Sequence, residues 1–126
     1  MPWLEIAAVS AGAVVGSLLR WAAGIWLNAR WAGFPLGTLF VNCVGGLVIG
    51  AVLFWLERSP NELLRLLLVT GLLGGFTTFS AFSVESLIML QRGELALAFA
   101  HTLAHVVGSL ACAALGFRIA QLTLLR

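Results

Sequence analysis

Three stretches of this sequence carry side chains that are able to do chemistry, each inside an apolar segment. The richest, "GLLGGFTTFSAFSVESL" at residues 71–87, holds three glycines, five hydroxyl side chains, three phenylalanines and a glutamate. The second stretch contains Asn42, and the third contains His101 and His105. No nucleophile–base grouping, phosphate-binding loop or nucleotide motif is visible in them. We therefore predict binding or conduction, and we predict that the protein is not an enzyme.

Phenylalanines recur three residues apart in the first stretch, at Phe76, Phe79 and Phe82, so a helix would place them along one side. A phenyl ring is positive at its edge, so it can meet a small anion without the formal charge that would hold that anion too tightly. A neighbouring stripe consists of hydroxyls: Thr77, Ser80 and Ser83. Both stripes also have an ordinary interpretation, since rings pack and helical hydroxyls bond back to carbonyls four residues earlier.

Three isolated polar residues lie within the apolar segments: Arg20, Asn42 and Glu85. An amide such as Asn42 usually faces the interior of a helix bundle, and its NH₂ group is also able to donate to an anion. Glu85 is an intramembrane carboxylate, which is by default a candidate functional group. Arg20 either extends towards the membrane surface or lines a wet vestibule that attracts anions.

One further polar stripe is formed by residues four apart, His101, His105 and Ser109. Two histidines at this spacing can bind zinc, but the sequence offers no third ligand at a convincing spacing. We therefore predict that they line a pathway or hydrogen-bond within the bundle. Cys43 and Cys112 have apolar neighbours and are interpreted as packed thiols.

Membrane-spanning helices must position all these residues. Of the 126 residues 61% are hydrophobic and only 10% are charged, with a mean hydropathy of +1.06. Roughly 20 apolar helical residues cross a bilayer, and four runs reach that length: 3–27, 36–56, 63–90 and 95–125. We predict an all-α membrane protein with a single four-helix domain over residues 1–126. The first run lacks a preceding basic region and is expected to remain as an anchor, and a net charge of +2 is too small to indicate nucleic-acid binding.

The third run is expected to be interrupted, because Gly74 and Gly75 divide it into two pieces that are each too short to cross alone. Non-helical backbone at membrane depth survives only where protein or a water-filled cavity satisfies it, and broken helices coordinate ions in transporters. A merely kinked helix is the alternative. Small residues four apart in every run predict close helix packing: Gly12/Gly16, Gly46/Gly50, Gly71/Gly75 and Gly108/Cys112/Gly116.

The arginines give almost no orientation signal. Four fall on the side of the N-terminus and three on the other side: Arg58, Arg65, Arg118 and Arg126 against Arg20, Arg30 and Arg92. A fixed topology normally shows a clear cytoplasmic excess of basic residues. We infer that the chain inserts in both directions and assembles as an antiparallel pair, the alternative being that a weak bias still fixes one orientation.

Together these residues resemble the small fluoride channels of the Fluc, or CrcB, type. The resemblance covers the length, the four spans and a motif in each span: "GSLLRW", "GTLFVNCVGG", "GGFTTFSAFSVE" and "HVVGSL". The motif of the third span is highly specific. The resemblance implies a channel in the bacterial inner membrane that passively exports fluoride, built as an antiparallel, dual-topology homodimer with two fluoride pathways and a central structural sodium ion.

Individual roles follow from the same resemblance. The residues that match the fluoride pathway are Asn42, Phe79, Phe82, Ser80, Thr78, Ser109, Glu85 and His105. Arg20 matches a vestibule arginine, and Gly74 and Thr77 match positions whose backbone carbonyls hold sodium. Histidines stand at 101 and 105, where some relatives carry tyrosine and serine. The resemblance therefore does not fix which polar residues of the fourth span line the fluoride pathway.

Two other classes compete with this interpretation. A small proton-coupled drug exporter is also short and four-spanning, but such proteins use a deep glutamate in the first span, where this chain has only Glu5 near the beginning. A non-transporting assembly or regulatory subunit is the second alternative. Fluoride efflux from liposomes without a proton gradient separates the channel from both.

Overall fold

Helices make up nearly all of the described chain. The computed structural model describes residues 2–30 and 33–125. Three helices are unbroken: α1 (Pro2–Asn28), α2 (Leu36–Arg58) and α6 (Leu95–Leu124). Between α2 and α6 the third span is composite and consists of α3 (Glu62–Arg65), a π-helical segment (Leu66–Leu73), α4 (Gly74–Phe76) and α5 (Phe79–Gln91).

Four stretches are long and apolar enough to cross a membrane: Pro2–Asn28, Leu36–Arg58, Glu62–Gln91 and Leu95–Leu124. This confirms the four predicted spans and the all-α class. Many large apolar side chains, such as Trp21 and Leu110, are exposed on the outer faces of the bundle, as lipid contact requires. Of the residues in the orientation count, Arg126 lies outside the described residues.

Glycines bring the helices into backbone contact along two seams. In the first seam α1 packs on the π-helical segment and α4. A Cβ placed on Gly12 would lie 2.2 Å from a backbone oxygen of the π-helical segment, and one on Gly16 would lie 2.1 Å from another. Gly71 and Gly75 approach the backbone of α1 in the same way, at 2.6 and 2.7 Å. The close packing predicted for these two pairs is therefore confirmed.

The second seam joins α2 to α6. A Cβ on Gly50 would lie 2.0 Å from the carbonyl oxygen of Ala113, and one on Gly116 would lie 1.8 Å from that of Leu47. Gly108 differs, because its nearest neighbour is the Cys43 sulfur at 3.2 Å and not a backbone atom.

The third span is broken, but not at the glycine pair. Gly74 and Gly75 are helical, within α4, and the extended residues are Thr77 (φ −83°, ψ 162°) and Thr78 (φ −152°, ψ 121°). The predicted break at Gly74–Gly75 is therefore wrong by about one helical turn. The physical reason is packing: Gly75 is needed for contact with α1, where a Cβ would lie 2.7 Å from the Ala13 carbonyl oxygen.

Candidate functional site

A cavity of about 460 Å³ lies beside the break, where α2, the two halves of the third span and α6 meet. Eight residues singled out from the sequence line it: Asn42, Gly74, Thr77, Thr78, Phe79, Phe82, His105 and Ser109. No arginine is among the described residues of its wall. The structure thus brings most of the predicted site together in one place, while Ser80, Glu85 and Arg20 lie around it.

Asn42 braces the broken backbone. Its amide oxygen accepts from the Thr78 N–H at 2.8 Å, and its NH₂ group donates to the Thr78 carbonyl at 2.9 Å. The side chain therefore replaces the peptide partner that an unbroken helix would supply, as buried backbone groups require. The second N–H of the same NH₂ group meets His105 Nδ1 at 3.1 Å, so both amide hydrogens of Asn42 are already used.

Thr78 begins the second half of the span. Its hydroxyl oxygen caps α5 by accepting from the Ala81 N–H at 3.1 Å and lies 3.3 Å from the Ser80 hydroxyl. The other two hydroxyls of the predicted stripe follow the ordinary interpretation: Thr77 donates to the Leu73 carbonyl and Ser83 to that of Phe79, each four residues earlier.

The three phenylalanines do not share one helical side. Phe76 lies before the break in α4, so only Phe79 and Phe82 belong to α5, and this part of the stripe prediction is wrong. The rings of Phe79 and Phe82 are 5.4 Å apart and inclined by 57°. Phe82 is buried and lies 4.7 Å from the ring of His105, whereas Phe79 is 78% exposed at the edge of the cavity.

The contacts of His105 assign its neutral tautomer. Because Asn42 receives the Thr78 N–H on its oxygen, the atom that faces His105 Nδ1 is an N–H donor, and Nδ1 must accept. The proton of the neutral ring then sits on Nε2. This nitrogen is buried and has no hydrogen-bond partner among the described residues. His105, one of the residues that line the cavity, therefore carries an unused N–H donor that is buried beside the ring of Phe82.

Glu85 belongs to a polar cluster one helical turn further along. Thr38 of α2 donates to Glu85 Oε1, and Glu85 Oε2 lies 3.1 Å from His101 Nε2. The other ring nitrogen of His101 lies 2.9 Å from the Ser86 hydroxyl. His101 is fully buried, and its ring is 4.5 Å from that of His105, which joins this cluster to the cavity.

Arg20 approaches the break from the opposite side. Its Nη1 donates to the carbonyl oxygen of Thr77 at 3.4 Å, a long contact. In a continuous helix the Gly74 carbonyl would accept from the Thr78 N–H, but that N–H donates to Asn42. The carbonyls of Gly74 and Thr77 are thus both released from the helical pattern at the wall of the cavity.

The sequence analysis did not identify two members of this polar cluster, Thr38 and Ser86. Thr38 precedes Asn42 by four residues, so its spacing on α2 was the available signal. Ser86 offered none beyond its place beside Glu85. Glu85 itself is the third ligand-type group that the sequence did not connect with His101 and His105, because it comes from a different helix.

Comparison with known proteins gives a consistent result. The family model described as "CrcB-like protein, Camphor Resistance (CrcB)" matches residues 7–117. The relative from Marinobacter nauticus, named fluoride-specific ion channel FluC, is 47% identical over 91% of this chain and 93% of its own length. A relative of the same name from Aromatoleum aromaticum is 49% identical over 87% of this chain and 86% of its own length.

A third relative with that name, from Pseudomonas aeruginosa, is 45% identical over 90% of this chain and 91% of its own length. The match to the family model reaches into all four spans and includes every described residue of the cavity wall. With its four membrane-spanning helices, the chain is a multi-pass bacterial membrane protein that belongs to the CrcB-like family.

Proposed function

We propose that this protein is a fluoride-selective channel that lets fluoride leave the cytoplasm passively. Its family is one of ion channels and not of enzymes, and the relatives described above are named fluoride-specific ion channels. Hydrofluoric acid crosses membranes as a neutral molecule and dissociates in the more alkaline cytoplasm. A passive exit for the anion is therefore sufficient to remove it.

The observation that carries the proposal is the unpartnered Nε2–H of His105. A buried donor without a partner costs free energy unless something accepts from it. His105 lines the cavity and its ring lies 4.7 Å from that of Phe82 between centroids. The Nε2 atom itself is buried just behind the cavity surface, so an anion would reach it after a small movement of these side chains. A small anion fits both groups, because it accepts the hydrogen bond and meets the positive ring edge.

The remaining wall supports conduction instead of permanent binding. Fluoride is strongly hydrated, so a pathway must replace its water with donors that still allow release. The cavity offers hydroxyl, amide and ring groups and, among its described residues, no arginine. Thr78 and Ser109 line the same cavity, and the Ser80 hydroxyl lies 3.3 Å from that of Thr78, so these hydroxyls add to the set of donors. Asn42 joins the set if it exchanges one of the two hydrogen bonds that its NH₂ group now donates.

Two pathways in an antiparallel homodimer form the finer part of the proposal. Phe79 is 78% exposed although it lines the cavity, so its outer face is open to a second copy of the chain, which would close the pathway on that side. The near-equal arginine count on the two sides supports insertion in both orientations. Glu85 then lies near one mouth of each pathway and Arg20 in a vestibule.

The residues present also fit a structural sodium ion. Carbonyl oxygens are hard ligands suited to hard cations, and the carbonyls of Gly74 and Thr77 are released from the helical pattern. A sodium ion at Thr77 would displace the long contact from Arg20 at 3.4 Å. One chain supplies only these two carbonyls, so a second copy would supply the rest of the coordination. Bound sodium would screen the carbonyls from each other and hold the two breaks together.

Efflux from liposomes tests the channel function. Purified protein is reconstituted with internal potassium fluoride, valinomycin is added to balance charge, and an electrode follows the release. We expect rapid fluoride efflux without a proton gradient, and no efflux above protein-free controls when chloride replaces fluoride. Equal chloride release, or fluoride release only with a proton gradient, would contradict the proposal.

Sodium is tested separately. Rigorously sodium-free protein, kept in N-methylglucamine buffer, is expected to lose activity slowly and to regain it when sodium is restored. The elution volume on a sizing column reports whether the dimer persists. Full and lasting activity without sodium would remove the ion from the proposal and leave the fluoride pathway untouched.

A further inference from the structure

We propose that Glu85, His101 and His105 form a binding site for a divalent transition metal, Zn²⁺ in the first place, at the mouth of the pathway. Each of the three residues offers one ligand atom, and these atoms lie within 4.8 Å of one another. All three are at least partly buried. Two imidazoles and one carboxylate form a zinc ligand set that leaves the fourth tetrahedral position open.

Two of the ligands already stand at the distance that zinc requires. Ligand atoms of a tetrahedral zinc ion lie about 3.3 Å apart, given bonds of about 2.0 Å. Glu85 Oε2 and His101 Nε2 are separated by 3.1 Å. An ion placed between them needs the His101 Nε2 lone pair, with the ring proton on Nδ1.

The second contacts of these two ligands fit a bound metal. Ser86 lies 2.9 Å from His101 Nδ1 and is able to accept its proton, because a hydroxyl both donates and accepts. Thr38 holds the other oxygen of Glu85. Metal-ligating histidines and carboxylates are held in this manner by outer contacts that fix the ring orientation.

His105 completes the site at a defined cost. A metal on His105 Nδ1 displaces the Asn42 N–H that now lies 3.1 Å away, and a metal on Nε2 moves the ring proton to Nδ1, which breaks the same contact. The ligand atoms must also close in from a spacing of up to 4.8 Å. We therefore expect affinity below that of a structural zinc site, with reversible occupancy.

An entry route leads to the ligands from outside. A second cavity of about 250 Å³ is lined by Glu85 together with residues of the turns at both ends of the neighbouring helices, including Pro35, Arg92 and Glu94. The described lining carries the two acids Glu85 and Glu94 against the single base Arg92, an excess of one negative charge that favours approach of a cation. A cation is therefore able to approach Glu85 from this cavity, and binding to the buried His101 and His105 requires side-chain movement.

Occupancy would block conduction, a consequence that rests on the proposed channel function, whereas metal binding itself does not. His105 belongs both to the metal site and to the cavity wall beside Phe82, so a bound metal would lie next to the group of donors proposed for fluoride. A divalent ion holds an anion far more tightly than neutral N–H and O–H donors do. An anion that reaches the metal would consequently stay there, and zinc would act as a reversible inhibitor.

Metal binding is tested first, on tag-free full-length protein in detergent, because the chain has only two histidines and an affinity tag would hide them. Co²⁺ serves as the optical probe and Zn²⁺ as its competitor. We expect visible bands of four-coordinate Co²⁺ that zinc abolishes. His101→Gln and Glu85→Gln should each weaken binding by about tenfold or more, and Glu57→Gln, an exposed acid elsewhere, should leave it unchanged.

X-ray absorption at the zinc edge of the wild-type protein gives an answer that requires no variant to fold. Imidazole scattering without sulfur supports the site. Thiolate ligation, which would place the metal on Cys43 or Cys112, overturns it, as does metal binding that survives both substitutions or is absent at millimolar Zn²⁺.

Flux then separates the two proposals. With metal binding established, micromolar Zn²⁺ should reduce fluoride efflux of wild-type protein at least tenfold, and a chelator should restore it. Metal binding in a protein that passes no fluoride would refute the channel function and leave the site. Fluoride efflux from a protein that binds no metal would refute the site and leave the channel.

Discussion

The two halves of the third span are held by opposite kinds of interaction. The first half, from the π-helical segment to α4, is fixed by backbone contact with α1, since Cβ atoms on Gly12 and Gly16 would lie within 2.2 Å of its carbonyls. The second half, α5, meets α2 and α6 largely through polar side chains, Asn42 on Thr78 and Thr38 on Glu85. The first half, which we call the steric half, is therefore positioned by backbone packing. The second half, which we call the polar half, carries the hydrogen-bonding groups that surround the break.

The largest effect is expected from overfilling the steric half. Gly16→Ala would place a Cβ only 2.1 Å from the backbone carbonyl oxygen of Leu72. Overpacking of this kind costs about 3 kcal/mol or more, because backbone cannot yield as a side chain does. We expect loss of monodisperse protein on a sizing column.

Gly24 provides the matched control for that substitution, since it lies on the same helix and its Cβ would meet only Asn28 Nδ2 at 3.9 Å. Gly24→Ala should elute as the wild-type protein does. Equal behaviour of the two variants would show that the seam between α1 and the third span is not tightly packed.

Removing the brace of the polar half should have the next largest effect. Asn42→Leu leaves the N–H and carbonyl of Thr78 without their partners, at about 1–3 kcal/mol for each buried group. It also frees His105 Nδ1. We expect a lower unfolding temperature and a nearly complete loss of fluoride efflux from the same preparation.

Asn61 is the control for Asn42, because its side-chain amide also bonds to the backbone but does not line the cavity. Its side chain caps α3 by accepting from the Leu64 N–H at 3.0 Å, far from the cavity and exposed. Asn61→Ala should cost about 1 kcal/mol and leave efflux intact. If Asn42→Leu also conducts normally, the brace has no part in the pathway.

The two rings of α5 should respond differently in stability but alike in conduction. Phe82→Ile removes a buried ring that stacks on His101 with centroids 5.3 Å apart, so it should lower stability by about 1 kcal/mol. Phe79→Ile changes a ring that is 78% exposed and should leave the stability of the single chain unchanged. Both remove the positive ring edge, and we expect efflux to fall about tenfold or more in each. Unchanged efflux in both would mean that the rings only pack.

Helix number, helix length and close glycine packing could be predicted from the sequence because each depends on local composition and on spacings of four residues. The position of the break could not. Gly74 and Gly75 have the composition of a helix breaker, yet α1 uses Gly75 for close contact, and the interruption falls at Thr77–Thr78, where Asn42 is able to satisfy the backbone. Tertiary contact overrides local propensity there.

The candidate site shows the same limit. Asn42, Phe82 and His105 were identified by type and spacing and Thr78 through the family resemblance, and the structure places them around one cavity. Their hydrogen-bond partners could not be predicted, because a hydrogen bond between helices leaves no regular spacing in the chain. The tautomer of His105 follows only from the orientation of the Asn42 amide, which is a property of three elements together.

The smallest effect is expected from Thr38, which acts on the site through another residue. Thr38→Val preserves shape and removes the hydroxyl that donates to Glu85 Oε1. Loss of a hydrogen bond to a charged group costs about 1.5–3 kcal/mol when the group stays buried, but Glu85 is partly exposed towards the second cavity, and water reaches the vacated oxygen. We therefore expect a loss of stability below that of Asn42→Leu.

Fluoride efflux of Thr38→Val shows whether Thr38 orients the Glu85 carboxylate for conduction or only stabilises the fold. Without Thr38 the carboxylate of Glu85 retains, among the described residues, His101 as its partner at 3.1 Å, so it gains rotational freedom at the proposed mouth of the pathway. Efflux should fall by a few-fold while selectivity over chloride is kept, since the donors beside Phe82 are unchanged. Thr102→Val, an exposed threonine on α6, is the control and should conduct normally. A change of selectivity in Thr38→Val would instead show that fluoride is distinguished from chloride at Glu85 and not at His105.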